Sequence, residues 1–478
     1  MDDDDDNMTE HNLLLNKKDF GPDTNLQTNE FFESIHVDME PLRIAYLTIS
    51  ENNATIRKTN ATGPGATLMH ILKANIGIGL LTMPNAMKDA GYVFGPTILL
   101  LMGIIATHCM TVIVTCSHHL CAQLQLPALS YADVAELAIA YKFKKRYWGM
   151  IARIFVNAML LLTQFGFCCT YLAFISKHII LLIENSGAMP INYRLIILAI
   201  LPIFILASYI RTLKYLAPIS SVANICILYS ITIILVFSSL TIAEQGALGP
   251  GVEPFSTTPI SYPLFFGNVI FAFEGIGSVL PLENKMANPK FFQPILWLGM
   301  LMIISSYAIL GLLGYFAFGD NLADVVSLNF PKALTSPIYV LYSIAILYLI
   351  FGIFSSYLIQ FYVPMEIIEP PFLRRIKSPI KKLILQIIIR TILVIFTALI
   401  PIAIDKINLL VDLIGAFSSS CLALIFPAAI EIITFWGAKR YRLPFYVWIV
   451  KDIIILGIGL VGGVIGSGVA IYKIATSF

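Results

Sequence analysis

Residues Phe271 to Met286 read Phe-Ala-Phe-Glu-Gly-Ile-Gly-Ser-Val-Leu-Pro-Leu-Glu-Asn-Lys-Met. They lie deep in an apolar segment, yet they carry Glu274, Gly275, Gly277 and Pro281. Gly and Pro both weaken a helix, and a carboxyl group in hydrocarbon is costly, so a plain membrane-spanning helix has no use for this combination. The first apolar segment of the chain repeats the device. His70-Ile-Leu-Lys-Ala-Asn-Ile-Gly-Ile-Gly-Leu-Leu-Thr-Met-Pro84 places Gly77 and Gly79 two residues apart, with Pro84 following. Two interrupted spans at corresponding places in two halves of a chain point to a central binding site.

Composition sets the surroundings of these two stretches. Of 478 residues, 58% are hydrophobic and 13% charged, and the mean hydropathy is +0.81. A soluble domain carries about 25% charged residues. The apolar runs are far longer than barrel strands, so the chain reads as an all-α, multi-pass membrane protein and not as a soluble enzyme. The formal net charge of +2 comes without a basic cluster interleaved with aromatics, which gives no footprint for nucleic acid. The seven cysteines fall in or beside apolar spans, and their spacing suggests neither a structural disulfide nor a metal site.

Residues 1–65 are polar, open on Asp2 to Asp6 and contain no spanning run, so they read as a disordered tail with no signal peptide. The tail holds sequons at Asn7, Asn53 and Asn60, and a Glu10-His-Asn-Leu-Leu14 stretch similar to an acidic dileucine signal. About eleven apolar spans follow within 66–478. Spans one to five fall in about 67–242, spans six to ten in about 262–435, and the eleventh in about 446–471. Lys and Arg crowd the connections after even spans, as in Lys142, Lys144, Lys145 and Arg146 or Arg374, Arg375, Lys377 and Lys381. Connections after odd spans hold few. The positive-inside rule then places the N-terminus in the cytoplasm and the C-terminus outside or in a lumen, where the sequons of the tail would be silent.

Several connections have their own signals. Ser130-Tyr-Ala-Asp-Val-Ala-Glu-Leu-Ala138 reads as a helix lying on the membrane surface or in a cytoplasmic loop. The Gly- and Pro-rich residues 243–261 read as an irregular external loop, and Pro370-Pro371 and Pro379 as breakers after span eight. Gly459/Gly463 and Gly462/Gly466 in the last span allow close helix approach, within the chain or between copies. His108, His118, His119 and His178 are expected at the interface, and Glu431, Arg390 and Lys177 to snorkel from span ends.

A helix broken in mid-membrane frees N–H groups on one half and carbonyls on the other. Those groups are costly in hydrocarbon unless they line a cavity or find a ligand. Free N–H groups at a half-helix N-terminus suit a carboxylate, and free carbonyls suit an ammonium. Two facing breaks would thus receive an α-amino acid zwitterion; the competing reading is that the glycines merely let helices pack. Asn75, Gly77, Gly79, Phe273, Glu274, Gly275 and Gly277 are the binding residues this implies, with Tyr171 of span three closing over the substrate or simply packing. His70 titrates near physiological pH and lies five residues before Asn75, which suits a proton carrier or an interfacial histidine. Glu274 is a second proton site, a partner for a substrate ammonium, or a cap for the backbone of span one. Glu283 and Lys285 suggest a gate or an interface ion pair.

The stretches His70–Leu81, Gln164–Tyr171, Tyr262–Gly267, Phe273–Lys285 and Gln360–Pro364 resemble the proton-coupled amino acid transporters, a branch of the amino acid/auxin permease superfamily, and are closest to its insect and other invertebrate members. The resemblance runs from about Gly65 to the C-terminus. It implies a five-plus-five inverted repeat of the LeuT/APC type, with helices 1 and 6 broken and an eleventh helix appended. It further implies symport of small neutral amino acids with H⁺ as coupling ion, no other cofactor, no metal, and no Na⁺ requirement; a family histidine stands at His70. Vertebrate relatives carry a disulfide from the loop after span three to the loop after span seven, where 184–193 and 319–336 here contain no Cys.

The expected mechanism is alternating access, with spans one and six rocking against a scaffold. Two rivals stay open: an amino-acid-sensing receptor whose tail docks a cytoplasmic signalling partner, and an uncoupled facilitator. Plasma membrane and lysosomal or late endosomal membrane both remain open as the home of the protein.

Overall fold

Hydrocarbon offers backbone groups no partner, so long Leu-, Ile- and Val-rich runs close their hydrogen bonds as helices. A computed structural model describes residues 62–124, 126, 128–185, 191–211, 213–331, 337–374, 376–436 and 445–476. The sequons, the dileucine-like stretch and nearly all of the acidic tail lie outside the described residues.

The first span is two helices, α1 (Pro64–Asn75) and α2 (Ile78–Ala90), bent by 51° at Ile76 and Gly77. Then come α3 (Phe94–Leu124), α4 (Tyr131–Phe143), the 40-residue α5 (Arg146–Asn185), α6 (Tyr193–Ser208) and α7 (Leu213–Gln245). The sixth span is α8 (Ser261–Ala272) and α9 (Ile276–Lys285), separated by Phe273, Glu274 and Gly275. α10 (Phe292–Phe318), α11 (Pro337–Leu373) and α12 (Pro379–Ala403) follow. The tenth span is α13 (Ile407–Ile414), π-helical turns over Gly415–Ser419 and Cys421–Ile425, and α14 (Phe426–Phe435); α15 (Phe445–Thr476) ends the bundle. Among the described residues nine helical stretches are long and apolar enough to cross a bilayer, and the bent α1–α2 pair makes ten. α6 has 16 residues, about 24 Å at 1.5 Å per residue, shorter than a hydrocarbon core of about 30 Å.

Hydropathy and burial do not run in parallel. The α8–α9 stretch is less apolar than the other continuous spans among the described residues, yet it is mostly buried, whereas α12, the most apolar, is mostly exposed. The interrupted spans therefore occupy the middle and the purely apolar ones face outward. α8 packs against α2, α13, the first π turn and α15, while α10 packs against both α1 and α2. Backbones meet directly beside the breaks and in span ten: a Cβ on Gly79 would stand 2.8 Å from Ala272 Cα, and one on Gly415 would overlap the Gly267 carbonyl. Pro84 and Pro281 fall inside α2 and α9, so the helix ends lie at the glycines and not at the prolines.

Four expectations need correction. α4 does not lie on a surface: a Ser130–Asp133 capping box starts it, most of its side chains are buried, and the Tyr131 hydroxyl reaches the Leu422 carbonyl at 2.7 Å. α11 continues through Pro370 and Pro371 to Leu373 instead of stopping before them. Arg390 and Glu431 do not snorkel. Arg390 is buried and donates to Glu369 Oε1 at 2.6 Å and to the Ser208 carbonyl at 2.6 Å. Glu431 is fully buried, 2.9 Å from Lys451 Nζ. His178 is buried too, 2.7 Å from the Ser327 hydroxyl.

Four glycines of the last span pack within the chain. Gly459 rests on Leu424 and Ile425, Gly462 on Phe266, and Gly463 and Gly466 on Ala416. The seven cysteines are free thiols. Span three is joined to the segment after span seven by Lys177–Asp324 at 2.6 Å and by His178–Ser327.

Candidate functional site

The site is assembled from the four helix ends that the two breaks create. At the first, the Ile76 amide still closes onto Leu72 O at 2.8 Å, and the Leu80 amide onto Gly77 O at 3.3 Å. Among the described residues the amides of Gly77, Ile78 and Gly79 have no acceptor. At the second, the Glu274 amide bonds Phe271 O at 3.3 Å and Gly275 bonds Phe273 O at 3.0 Å, which leaves the amides of Ile276 and Gly277 open. These are the first N–H groups of α2 and α9, which a helix cannot satisfy itself.

The glycines provide room for close contacts, since none of the four has a positive φ. A Cβ on Gly275 would stand 2.8 Å from Asn75 Oδ1, so the Asn75 side chain spans the gap between the two breaks. Asn75 Nδ2 donates to Ile71 O at 3.0 Å, whereas its Oδ1 has no partner among the described residues. A Cβ on Gly77 would touch the Tyr171 hydroxyl at 3.4 Å, and one on Gly277 would meet Leu160 at 3.0 Å. Gly79 faces Ala272. Tyr171 stacks on Phe167, whose ring stands edge-on to Phe271 at 4.7 Å. Phe273 is fully buried and packs against Tyr307 at 5.3 Å.

Glu274 is 4% exposed, and its Oε2 has no hydrogen-bond partner among the described residues. A buried carboxylate oxygen left without a donor is costly and marks a place for a proton or a cationic ligand. His70 is placed differently: it lies on the exposed face of α1, away from the interior of the break. Lys73 is half-buried, one turn before the break, with its ammonium unpartnered among the described residues.

The far ends of the half-helices are fastened on one side. The Thr62 amide donates to Lys285 O at 2.9 Å and the Ala287 amide to Thr62 O at 3.0 Å, which joins the start of α1 to the end of α9. Glu283 pairs with His118 of α3 at 2.9 Å, a partner the sequence reading did not assign to it. On the other side, residues 250–256 fold over the end of α2. Gly91 has φ 91° and meets the Pro254 backbone, and the Tyr92 amide donates to Glu253 O at 3.0 Å.

Three polar features were missed at the sequence level. Tyr307 of α10 reaches both breaks: its hydroxyl oxygen lies 2.7 Å from Asn75 O and 2.8 Å from Ala272 O. Asp412 of α13 is buried, and the carbonyl of the same residue presses on Gly267. His108, Glu431 and Asp452 form a cluster of the type that ligates a metal, but Lys451 Nζ lies among them, 2.6 Å from His108 Nε2 and 2.9 Å from each carboxylate. A lone Tyr or His in an apolar run carries no signal that its partners lie hundreds of residues away. The π-helical turns of span ten, which often mark functional sites, were equally invisible.

Residues 61–472 match the model of the family described as transmembrane amino acid transporter protein. The Drosophila melanogaster proton-coupled amino acid transporter-like protein pathetic is 32% identical over 423 residues, which cover 87% of this chain and 86% of that protein. Vacuolar amino acid transporter 4 of Saccharomyces cerevisiae is 30% identical over 309 residues, 63% of this chain and 40% of the yeast protein. Among solved structures, a Na⁺-coupled sialic acid symporter is matched with a TM-score of 0.47 at 14% identity, over 94% of this chain and 98% of that one. The Eremococcus coleocola manganese transporter is matched with a TM-score of 0.46 at 15% identity, over 87% of this chain and 86% of that one. With the family match running over nearly all of the described helices, the chain belongs to the transmembrane amino acid transporter family and is a membrane transporter, not an enzyme.

Proposed function

We propose that this chain is a proton-coupled symporter of small neutral amino acids, of the glycine, alanine and proline type. In this reading it works by alternating access on a five-plus-five inverted repeat with an eleventh helix appended, its N-terminus in the cytoplasm. The observation that carries the reading is the set of open groups at the two breaks. The amides of Gly77, Ile78, Gly79, Ile276 and Gly277 lack acceptors, and the Glu274 carboxylate lacks a donor, all at the centre of the bundle.

The amides and the dipoles of α2 and α9 suit the substrate carboxylate. The terminal carbonyls Asn75 O and Ala272 O already share the Tyr307 hydroxyl, so the substrate ammonium is assigned to Glu274. Asn75 Oδ1 offers it a further acceptor. The rings of Phe167, Tyr171, Phe271 and Phe273 crowd the surroundings, which favours small side chains. The name of the Drosophila relative is consistent with proton coupling.

The proton has two candidate carriers with different merits. His70 lies on the exposed face of α1 and is the side-chain type whose charge changes most readily near neutral pH. Glu274 sits at the break, where a change of charge acts on the substrate directly. Coupling requires only that proton and substrate favour the same conformation, by about 1–3 kcal/mol each. Opening on the α1–α9 side requires Thr62 to part from Lys285 and Ala287.

Current recorded against external pH in an expressing cell tests the reading, with glycine, alanine, proline and a bulky amino acid as substrates. Inward current with the small substrates that grows as pH falls is expected. Uptake that leaves intracellular pH unchanged would show a facilitator instead.

A further inference from the structure

Spans two, ten and eleven meet at a knot of four ionisable side chains, on helices that form neither break. His108 comes from α3, Glu431 from α14, and Lys451 and Asp452 from α15. Glu431 and Asp452 are fully buried, while His108 and Lys451 are partly so. The polar atoms of His108, Glu431 and Asp452 all lie within 4.8 Å of one another. Lys451 Nζ stands 2.6 Å from His108 Nε2 and 2.9 Å from Glu431 Oε2. It is also 2.9 Å from Asp452 Oδ1, but not aligned to bond it, and neither Asp452 oxygen has a donor among the described residues.

Hydrogen bonding and charge together fix where the protons are. An ammonium has donors and no acceptor, so His108 Nε2 accepts and the imidazole is neutral, with its proton on Nδ1. A charged imidazole would turn two donors toward each other at 2.6 Å. The same ammonium repels a metal ion, so the three groups are partners of the lysine and not metal ligands. Lys451 and Glu431 then cancel. An ionised Asp452 would leave a net negative charge inside the bundle with both of its oxygens unbonded, a costly arrangement. Cys109 of α3 also faces the cluster, and a thiol brings no positive charge. As an acid, Asp452 gains an O–H, and Glu431 is the carboxylate within reach to accept it.

We propose that Asp452 binds one exchangeable proton and donates it in a hydrogen bond to Glu431, forming a proton site apart from the central one that fastens the eleventh helix to spans two and ten. The proton comes from water and returns to it, and no other bond changes. Its loss leaves two facing carboxylates with one ammonium between them, and the helix loses its anchor. The effect reaches the second break through α15, which packs against α8, α13 and the π turns of span ten. The inference rests on the hydrogen bonding of these four side chains and on no reading of what the transporter carries.

Asp452→Asn turns an N–H donor toward Glu431 and removes the exchangeable proton. The full-length wild type and variant are purified, and infrared spectra and melting curves are recorded as the pH is raised. The wild type should show a protonated-carboxyl carbonyl band that disappears with rising pH, and Asp452→Asn should lack that component. The folded wild type holds one proton more than the unfolded chain, so its stability falls as pH rises. Relative to the variant, it should lose about ten-fold in the ratio of folded to unfolded protein for each pH unit between the ordinary carboxylate range and the pH at which the band vanishes. An ionised Asp452 paired with Lys451 predicts the reverse: no missing band, and a variant weakened equally at every pH. Either of those results overturns the proposal. So does a variant that fails to fold at any pH, because a neutral amide then cannot stand in for the acid.

Discussion

The first and second breaks are written with the same residues and built differently. Span one loses its helix over Ile76 and Gly77 and bends by 51°, with an amide side chain, Asn75, at the corner. Span six loses it over Phe273, Glu274 and Gly275, yet Ser261–Lys285 passes as one continuous crossing of 25 residues. The first break changes the direction of the chain, whereas the second mainly inserts a carboxylate. The difference arises from neighbours. Asn75 wedges against Gly275, and Gly79 presses on Ala272, so span one is turned around span six. Span six is itself held straight between α2, α13 and α15. A repeated sequence device therefore does not imply repeated geometry: one break bends the chain by 51°, the other places a buried carboxylate.

The comparison can be broken most severely at the contact between the breaks. Gly79→Val places side-chain atoms where the Ala272 backbone stands, and should cost about 4 kcal/mol or more. Loss of monodisperse protein on size exclusion is the expected result; a well-folded variant would show that the two spans are not in fixed contact. Glu274→Gln probes the second break alone. It should fold and lose about 10- to 100-fold in uptake, the value of a charge-assisted hydrogen bond of about 1.5–3 kcal/mol. Unchanged uptake would remove Glu274 from the substrate site. Gly277→Val keeps the charge and fills the space toward Leu160, so binding of radiolabelled substrate should fall while thermal stability holds. The smallest effect is expected in span one. His70→Ala should leave uptake within a few-fold near neutral pH and flatten its pH dependence, and a preserved pH profile would assign proton coupling to the second break.

Much of this was legible beforehand. Gly77, Gly79, Gly275 and Gly277 announced the breaks because glycine doublets in hydrocarbon are hard to explain otherwise. Glu274 stood out because burying a lone carboxylate is expensive. The residues that complete the site were not legible, since their roles depend on contacts across the fold. Tyr307 resembles any apolar-span tyrosine until Asn75, 232 positions away, is brought to its hydroxyl. Arg390 and Glu431 read as snorkelling residues near helix ends, and tertiary contact supplied each with an oppositely charged partner, Glu369 and Lys451. The amphipathic look of α4 suggested a surface, whereas its buried side is covered by α5 and α14.

The sequence by itself determined the membrane class, the helical spans and the two points at which the backbone must open, because hydropathy, glycine and an isolated carboxylate act locally and at fixed positions. Only the tertiary structure decided which open groups remain open. Tyr307 closes the carbonyls of Asn75 and Ala272, while the first amides of α2 and α9 and Glu274 Oε2 have no partner among the described residues. Hydrogen bonding at a helix end is satisfied by whatever side chain the packing delivers there, and that delivery is a property of the whole bundle.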